Sequence, residues 1–181
     1  MDYFMTKGRL KLRVLEQQDR HLLLKWLTDD RVLQFYEGRD SDYDSEKIEK
    51  DFYGHDPGEV KAIIEFDDRM IGYLQFYPIN EETSMIKDYQ SDMMVYGLDQ
   101  FIGEPTYWNK GIGTKLIQTM VEYLIEEKEA EIIIMDPRID NVRAIACYNK
   151  CGFEVVRSLP KHELHEGEYR DCWLMEYRVR S

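Results

Sequence analysis

Residues 93–124 constrain the fold more than any other stretch. In an extended segment, Met93, Val95 and Phe101 fall on one face, and Met94, Tyr96, Leu98 and Ile102 fall on the other. A strand that is apolar on both faces is central and covered on both sides. Gly97 within it marks a bulge or a close backbone approach. After it comes the run Tyr107-Trp-Asn-Lys-Gly-Ile-Gly-Thr114. Ile112, Leu116, Met120 and Leu124, with Ile117 and Val121 between them, then follow the spacing of a broad apolar helix stripe. Central strand, glycine turn and amphipathic helix together require a layered structure.

The rest of the chain fits around that core. Leu10, Leu12 and Val14 alternate with basic residues, as in a half-buried strand. Leu22, Leu23, Trp26 and Leu27 predict a helix, followed by Arg31-Val-Leu-Gln-Phe-Tyr36. Residues 37–58 are polar and turn-rich, with a helix expected over Ser45–Tyr53 and Ser45 as its cap. Val60–Phe66 and Met70–Tyr77 read as strands joined by an Asp67-Asp68-Arg69 turn. Glu131–Met135 is a short buried strand. A helix over 141–151 has Asn141 as cap and Gly152 as stop. Phe153–Arg157 and Cys172–Arg178 are the last strands, with an acidic loop between them. The order β, αα, βββ, α, β, α, ββ predicts one α+β domain over 1–181, with helices flanking a mixed, mostly antiparallel sheet.

The glycine turn carries chemistry. Gly111 and Gly113 lie where the helix begins, and a helix start exposes unpaired N–H groups and partial positive charge, which suits a pyrophosphate. A dinucleotide fingerprint would need a third glycine where Leu116 stands, and a P-loop pattern is absent. Further on, Asn141-Val-Arg-Ala-Ile-Ala-Cys-Tyr148 places a phenol on a helix. A phosphate cradle followed by a helical tyrosine points to an acyl-CoA acyltransferase.

Charge narrows the partners. The net charge is −12, which disfavours nucleic acid, since phosphate backbones need clustered Lys and Arg. Eleven carboxylates lie between Asp29 and Glu59 against four cations. Smaller acidic groups are Glu81, Glu82, Asp88 and Asp92, then Glu163, Glu166, Glu168 and Asp171. They form either a solvated face or a cleft that attracts a polycation. No apolar run is long enough for a membrane span, and the start does not read as a signal peptide, so a cytoplasmic protein is expected. The 3 cysteines, Cys147, Cys151 and Cys172, do not suggest a disulfide framework. His162-Glu-Leu-His165 is not H-E-x-x-H, and no metal is expected.

Several stretches carry a resemblance: Lys25-Trp-Leu-Thr-Asp29, Ile71-Gly-Tyr73, Val95-Tyr-Gly-Leu-Asp-Gln-Phe-Ile-Gly-Glu-Pro105, Lys110-Gly-Ile-Gly-Thr114, Asp136-Pro137, Arg143-Ala-Ile145, His162-Glu-Leu-His-Glu-Gly167 and Leu174-Met-Glu-Tyr177. The chain resembles the GCN5-related N-acetyltransferases (GNAT). Within them it resembles aminoglycoside 6′-N-acetyltransferases, including the acetyltransferase half of bifunctional acetyltransferase–phosphotransferase enzymes. Trp108 stands where the superfamily usually carries Arg or Gln, so the cradle rests on backbone donors.

The resemblance implies acetyl-CoA as cofactor and a cationic aminoglycoside as substrate, with resistance as the outcome. Another cationic amine, a polyamine or a protein N-terminus, is the alternative. Asn109, Lys110, Gly111, Ile112, Gly113 and Thr114 would hold the pyrophosphate, and Asn141 and Ala144 the pantetheine arm. The backbone of Phe101 and Ile102 would line the thioester, an N–H there serving the oxyanion. Tyr148 would serve the departing thiolate. Asp99 would act as base or hold the ammonium. Asp136, with Glu166 or Asp171, would bind further amines; Phe35 and Tyr36 would cover a sugar ring, and Gln75 and Tyr77 would bond hydroxyls. A monomer or weak homodimer is expected.

Overall fold

The computed structural model describes residues 2–80 and 84–180, so Glu81 and Glu82 of the acidic loop lie outside the described residues. The strands are β1 (Tyr3–Lys7), β2 (Leu10–Val14), β3 (Val60–Phe66), β4 (Arg69–Pro78), β5 (Val95–Ile102), β6 (Ile132–Met135), β7 (Glu154–His165) and β8 (Glu168–Arg178). The helices are α1 (Arg20–Trp26), α2 (Asp30–Leu33), α3 (Ser45–Phe52), α4 (Ile112–Lys128) and α5 (Val142–Lys150). The strands form one mixed sheet in the order β1-β2-β3-β4-β5-β6-β8-β7. Pairing is antiparallel for β1/β2, β2/β3 and β6/β8, and parallel for β5/β6. The α+β expectation holds.

Local chemistry explains the boundaries. Asp67 and Asp68 have φ of 52° and 61°, the two left-handed positions that a tight hairpin needs and that Asp tolerates. Asn141 caps α5 by accepting from the Ala144 N–H at 3.3 Å. Gly152, at φ 95°, ends that helix, and the Phe153 N–H returns to the Tyr148 carbonyl at 3.0 Å. For α3 the cap is Asp44, not Ser45: the Asp44 carboxylate accepts from the Lys47 N–H at 2.8 Å. Ser45 is the first helical residue.

Three elements differ from the sequence expectation. β1 precedes the first strand expected, and α2 is a separate helix of 4 residues. β7 continues to His165, so the expected late loop is a hairpin whose turn is Glu166 and Gly167, at φ 51° and 82°. β7 is the last strand in the sheet order, and its largely exposed side chains leave no apolar alternation to read.

The chain divides into two compact units, each assembled from separate stretches. One comprises 1–75, 100–110 and 165–168; the other comprises 76–99, 111–164 and 169–181. In the first, Leu23, Trp26, Leu27, Ile48, Phe52, Ile63, Tyr73 and Phe101 share a core. Its rings meet in series, Phe52–Tyr73 at 5.0 Å and Tyr73–Phe101 at 5.6 Å. Gly103 lies flat against the Trp26 indole, where a Cβ would come within 2.2 Å of the ring. A buried charge network joins β2, β3 and the turn before α1. Arg13 donates to both Asp19 oxygens at 2.8 Å and to Glu65 at 3.1 Å. In the second unit, Ile86, Tyr89, Val95, Ile132, Ile134, Leu159, Cys172 and Leu174 form one buried cluster.

Candidate active site

Helix α4 starts in an unusual way. Gly111 precedes it in the left-handed region at φ 76°, and no side chain caps it. Its first turn holds no acidic residue, so no carboxylate of that turn offsets the partial positive charge there. A Cβ added to Gly111 would meet nothing within 4 Å. Asn109 also has a left-handed backbone, at φ 61°. Open space beside Gly111, followed by the first-turn N–H groups of Ile112, Gly113 and Thr114, suits a phosphate, and the donor set fits the pyrophosphate of CoA. Trp108 contributes elsewhere: its indole N–H donates to the Ile102 carbonyl at 2.8 Å and its ring meets Phe35 edge-on.

Helix α5 is fastened to that first turn. The Thr114 hydroxyl lies 3.5 Å from the Cys147 sulfur, and the Cys151 thiol donates to the Thr114 carbonyl at 3.6 Å. Tyr148, half-buried, follows Cys147 directly, with its ring 6.2 Å from Phe153. Asn141 and Ala144 form the capped first turn of the same helix. Burial pushes the Cys151 thiol up to about 11 and the Cys172 thiol up to about 12, so neither is a thiolate nucleophile near neutral pH.

The second feature is the place where the pairing of two parallel strands ends. β5 and β6 pair from Val95↔Ile132 to Gly97↔Ile134. β5 then runs on to Ile102, while β6 ends at Met135. Asp99 lies two residues beyond Gly97 and Asp136 two beyond Ile134, so by register the two residues stand at one level past the last pair. Gly97, Asp99 and Phe101 share a face of β5 by alternation. Gly97 is the close approach expected, and the approaching group is a side chain. A Cβ there would lie 2.4 Å from the Tyr77 ring and 2.8 Å from its hydroxyl. Gly97→Ala is expected to cost about 1–3 kcal/mol by overpacking, read as a lower urea midpoint. An unchanged midpoint would mean that Tyr77 swings aside freely.

The other expected substrate residues fall into separate groups. Tyr36 lies 4.5 Å from Phe101, and Phe35 is 40% exposed. Gln75 accepts from the Tyr73 hydroxyl at 2.7 Å. The Asp171 carboxylate accepts from the Lys161 N–H at 2.9 Å. Glu166 pairs with Arg39, whose guanidinium holds its carboxyl down at about 2. Asp136 lies 2.8 Å from His162 Nε2, and that hydrogen bond raises the imidazole pKa. Sequence spacing pointed to neither His162 nor Arg39, because no periodicity links them to their partners. Among the described residues no group of three or more His, Cys, Asp and Glu side chains could hold a metal ion, and no helix is long and apolar enough to cross a membrane.

Comparison with known proteins gives this arrangement a context. Over 152 residues the chain is 28% identical to the aminoglycoside N(6′)-acetyltransferase type 1 of Klebsiella pneumoniae, covering 82% of this chain and 76% of that protein. A solved structure of AAC(6′)-Ib with ribostamycin and coenzyme A superposes with a TM-score of 0.78 at 25% identity, covering 94% of each chain. Another, of that acetyltransferase with coenzyme A and kanamycin, gives 0.77 at 25% identity, covering 93% of this chain and 94% of that one. The acetyltransferase (GNAT) domain model matches residues 16–160. An uncapped α4 start, α5 fastened against it and a β5/β6 pair that parts beside Asp99 all lie within that match, and the chain belongs to the GNAT acetyltransferase family.

Proposed function

We propose that the protein transfers the acetyl group of acetyl-CoA to the 6′-amine of aminoglycoside antibiotics and so confers resistance in the cytoplasm. The observation that carries this reading is the pair of carboxylates, Asp99 and Asp136, at one level where β5 and β6 part. Two anions there suit a substrate with several ammonium groups. The extended similarity to aminoglycoside 6′-N-acetyltransferases supports the choice of polycation.

Acetyl-CoA supplies an activated thioester. The backbone N–H groups from Asn109 to Thr114 hold its pyrophosphate, and the capped first turn of α5, with Asn141 and Ala144, lines the pantetheine arm. An ammonium has no free electron pair, so the Asp99 carboxylate takes a proton from the substrate amine or holds that ammonium while water takes it. A backbone N–H of β5 near Phe101, beyond the last β5/β6 pair, is a donor for developing negative charge on oxygen. The Tyr148 hydroxyl donates its proton toward sulfur. Phe35 and Tyr36 cover a sugar ring, and Gln75 and Tyr77 meet hydroxyls.

The test is CoA-thiol release from acetyl-CoA with kanamycin, with an analogue carrying a hydroxyl in place of the 6′-amine, and with spermidine. Release with kanamycin and loss with the analogue is expected. Release with spermidine alone would replace this reading with polyamine acetylation. Tyr148→Phe is expected to lower kcat by roughly 10²-fold, at the low end for a proton donor. An unchanged kcat would reduce Tyr148 to a wall of the channel.

A further inference from the structure

His162 on β7 meets Asp136 at the carboxyl end of β6, and its setting is unusually well defined. The side chains are 15% and 33% exposed, with Nε2 and Oδ2 2.8 Å apart. From β7, Glu163 and Arg157 act on the ring with opposite sign. Arg157 is turned to Asp88, which it contacts with two nitrogens at 2.6 and 2.7 Å. Glu163 lies 3.7 Å from Arg138, which also donates to Asp140 at 3.1 Å. From β8, Asp171 is engaged by the Lys161 N–H, and Cys172 is buried with its thiol proton held on. Asp136 therefore dominates the field at the imidazole.

We propose that His162 is a positioning residue for substrate binding: it holds the Asp136 carboxylate in place, and it loses one ring proton to solvent when a substrate ammonium arrives. This rests on the polycation reading above. In the imidazolium form, Nε2–H and Nδ1–H are both present and the Asp136 charge is already compensated. A second cation at the same carboxylate repels the first. Loss of the Nδ1 proton to water removes one positive charge as the ammonium brings another. Nε2–H stays on the ring and keeps Asp136 oriented, so no other bond forms or breaks. Linkage makes the effect reciprocal: substrate lowers the affinity of His162 for its proton, and the proton lowers the affinity for substrate by the same factor.

Calorimetric titration of kanamycin into the enzyme, repeated in buffers of different ionisation enthalpy, counts protons exchanged. Near the imidazole range the wild type is expected to release up to about one more proton than His162→Gln, which keeps a neutral N–H donor. Kanamycin's own amines contribute equally to both. KM for kanamycin should fall roughly 5–10-fold as pH rises through the His162 transition, with kcat unaffected by that step, and the fall should be missing in His162→Gln. In wild-type protein, the His162 ring proton resonance should titrate at lower pH when kanamycin is bound. Binding with the same proton count in both proteins, or a His162 titration that kanamycin does not move, overturns the proposal. If neither protein binds kanamycin, the aminoglycoside reading falls, and this inference falls with it.

Discussion

Asp99→Asn is expected to reduce kcat/KM for acetyl transfer to kanamycin by roughly 10²–10⁴-fold, the usual worth of a positioned proton acceptor. The substitution keeps the shape of the side chain and removes its charge, so the half-buried β5 position should stay packed. The split between parameters assigns the role. A loss confined to kcat identifies a base, and a loss confined to KM identifies an anion that holds the ammonium. Activity within a factor of a few of wild type would move the chemistry away from the place where β5 and β6 part, and Asp136 would be the next carboxylate to replace.

Arg13→Met should cost about 3–5 kcal/mol of stability, because it leaves two buried carboxylates without their cation. Arg13 and Asp19 are each 2% exposed and Glu65 is 5% exposed. The Tyr3 hydroxyl also donates to Glu65 at 3.1 Å, and the Glu16 N–H to Asp19 at 2.8 Å. For a chain of this length the melting temperature should fall by roughly 6–20 °C. Acid sensitivity gives a second check. Burial alone would push the Asp19 carboxyl up, but hydrogen bonds from Arg13 and the Glu16 N–H hold it below its usual range. A depressed carboxyl contributes stability that is present above its unfolded value, near pH ~4, and lost as pH falls through the folded one. Wild type should therefore weaken in that acid window, and the part due to Asp19 should vanish in Arg13→Met. A destabilisation under ~1 kcal/mol would make the network no more valuable than a surface ion pair.

The elements that bury a stripe were legible in the sequence. β5 and α4 announce themselves through apolar spacing, and Asn141 and Gly152 mark the ends of α5. Less visible were elements with little buried surface. α2 is too short to show a helical period. β7 is largely exposed at the sheet margin, so its continuation to His165 reads as a polar loop. The cap of α3 differed by one residue because Asp44 and Ser45 are both good caps. Acidic clustering was plain, but its internal use was not. Glu166 is engaged by Arg39 across 127 residues and Asp136 by His162 across 26. No local pattern encodes such pairings; the fold makes them.

The interleaving of the two compact units bears on how the chain is made. The unit that opens at the N-terminus also contains residues 100–110 and 165–168. During synthesis it stays incomplete until nearly the whole chain has emerged, since Arg39 waits for Glu166. Domain-by-domain folding from the N-terminus is therefore closed to this protein. Its contacts join distant parts of the chain, which slows folding and prolongs exposure of unsatisfied apolar surface. Truncation at any crossing before the last would remove part of both units, so loss of the C-terminal hairpin should leave a nascent chain that depends on chaperones rather than a smaller working enzyme.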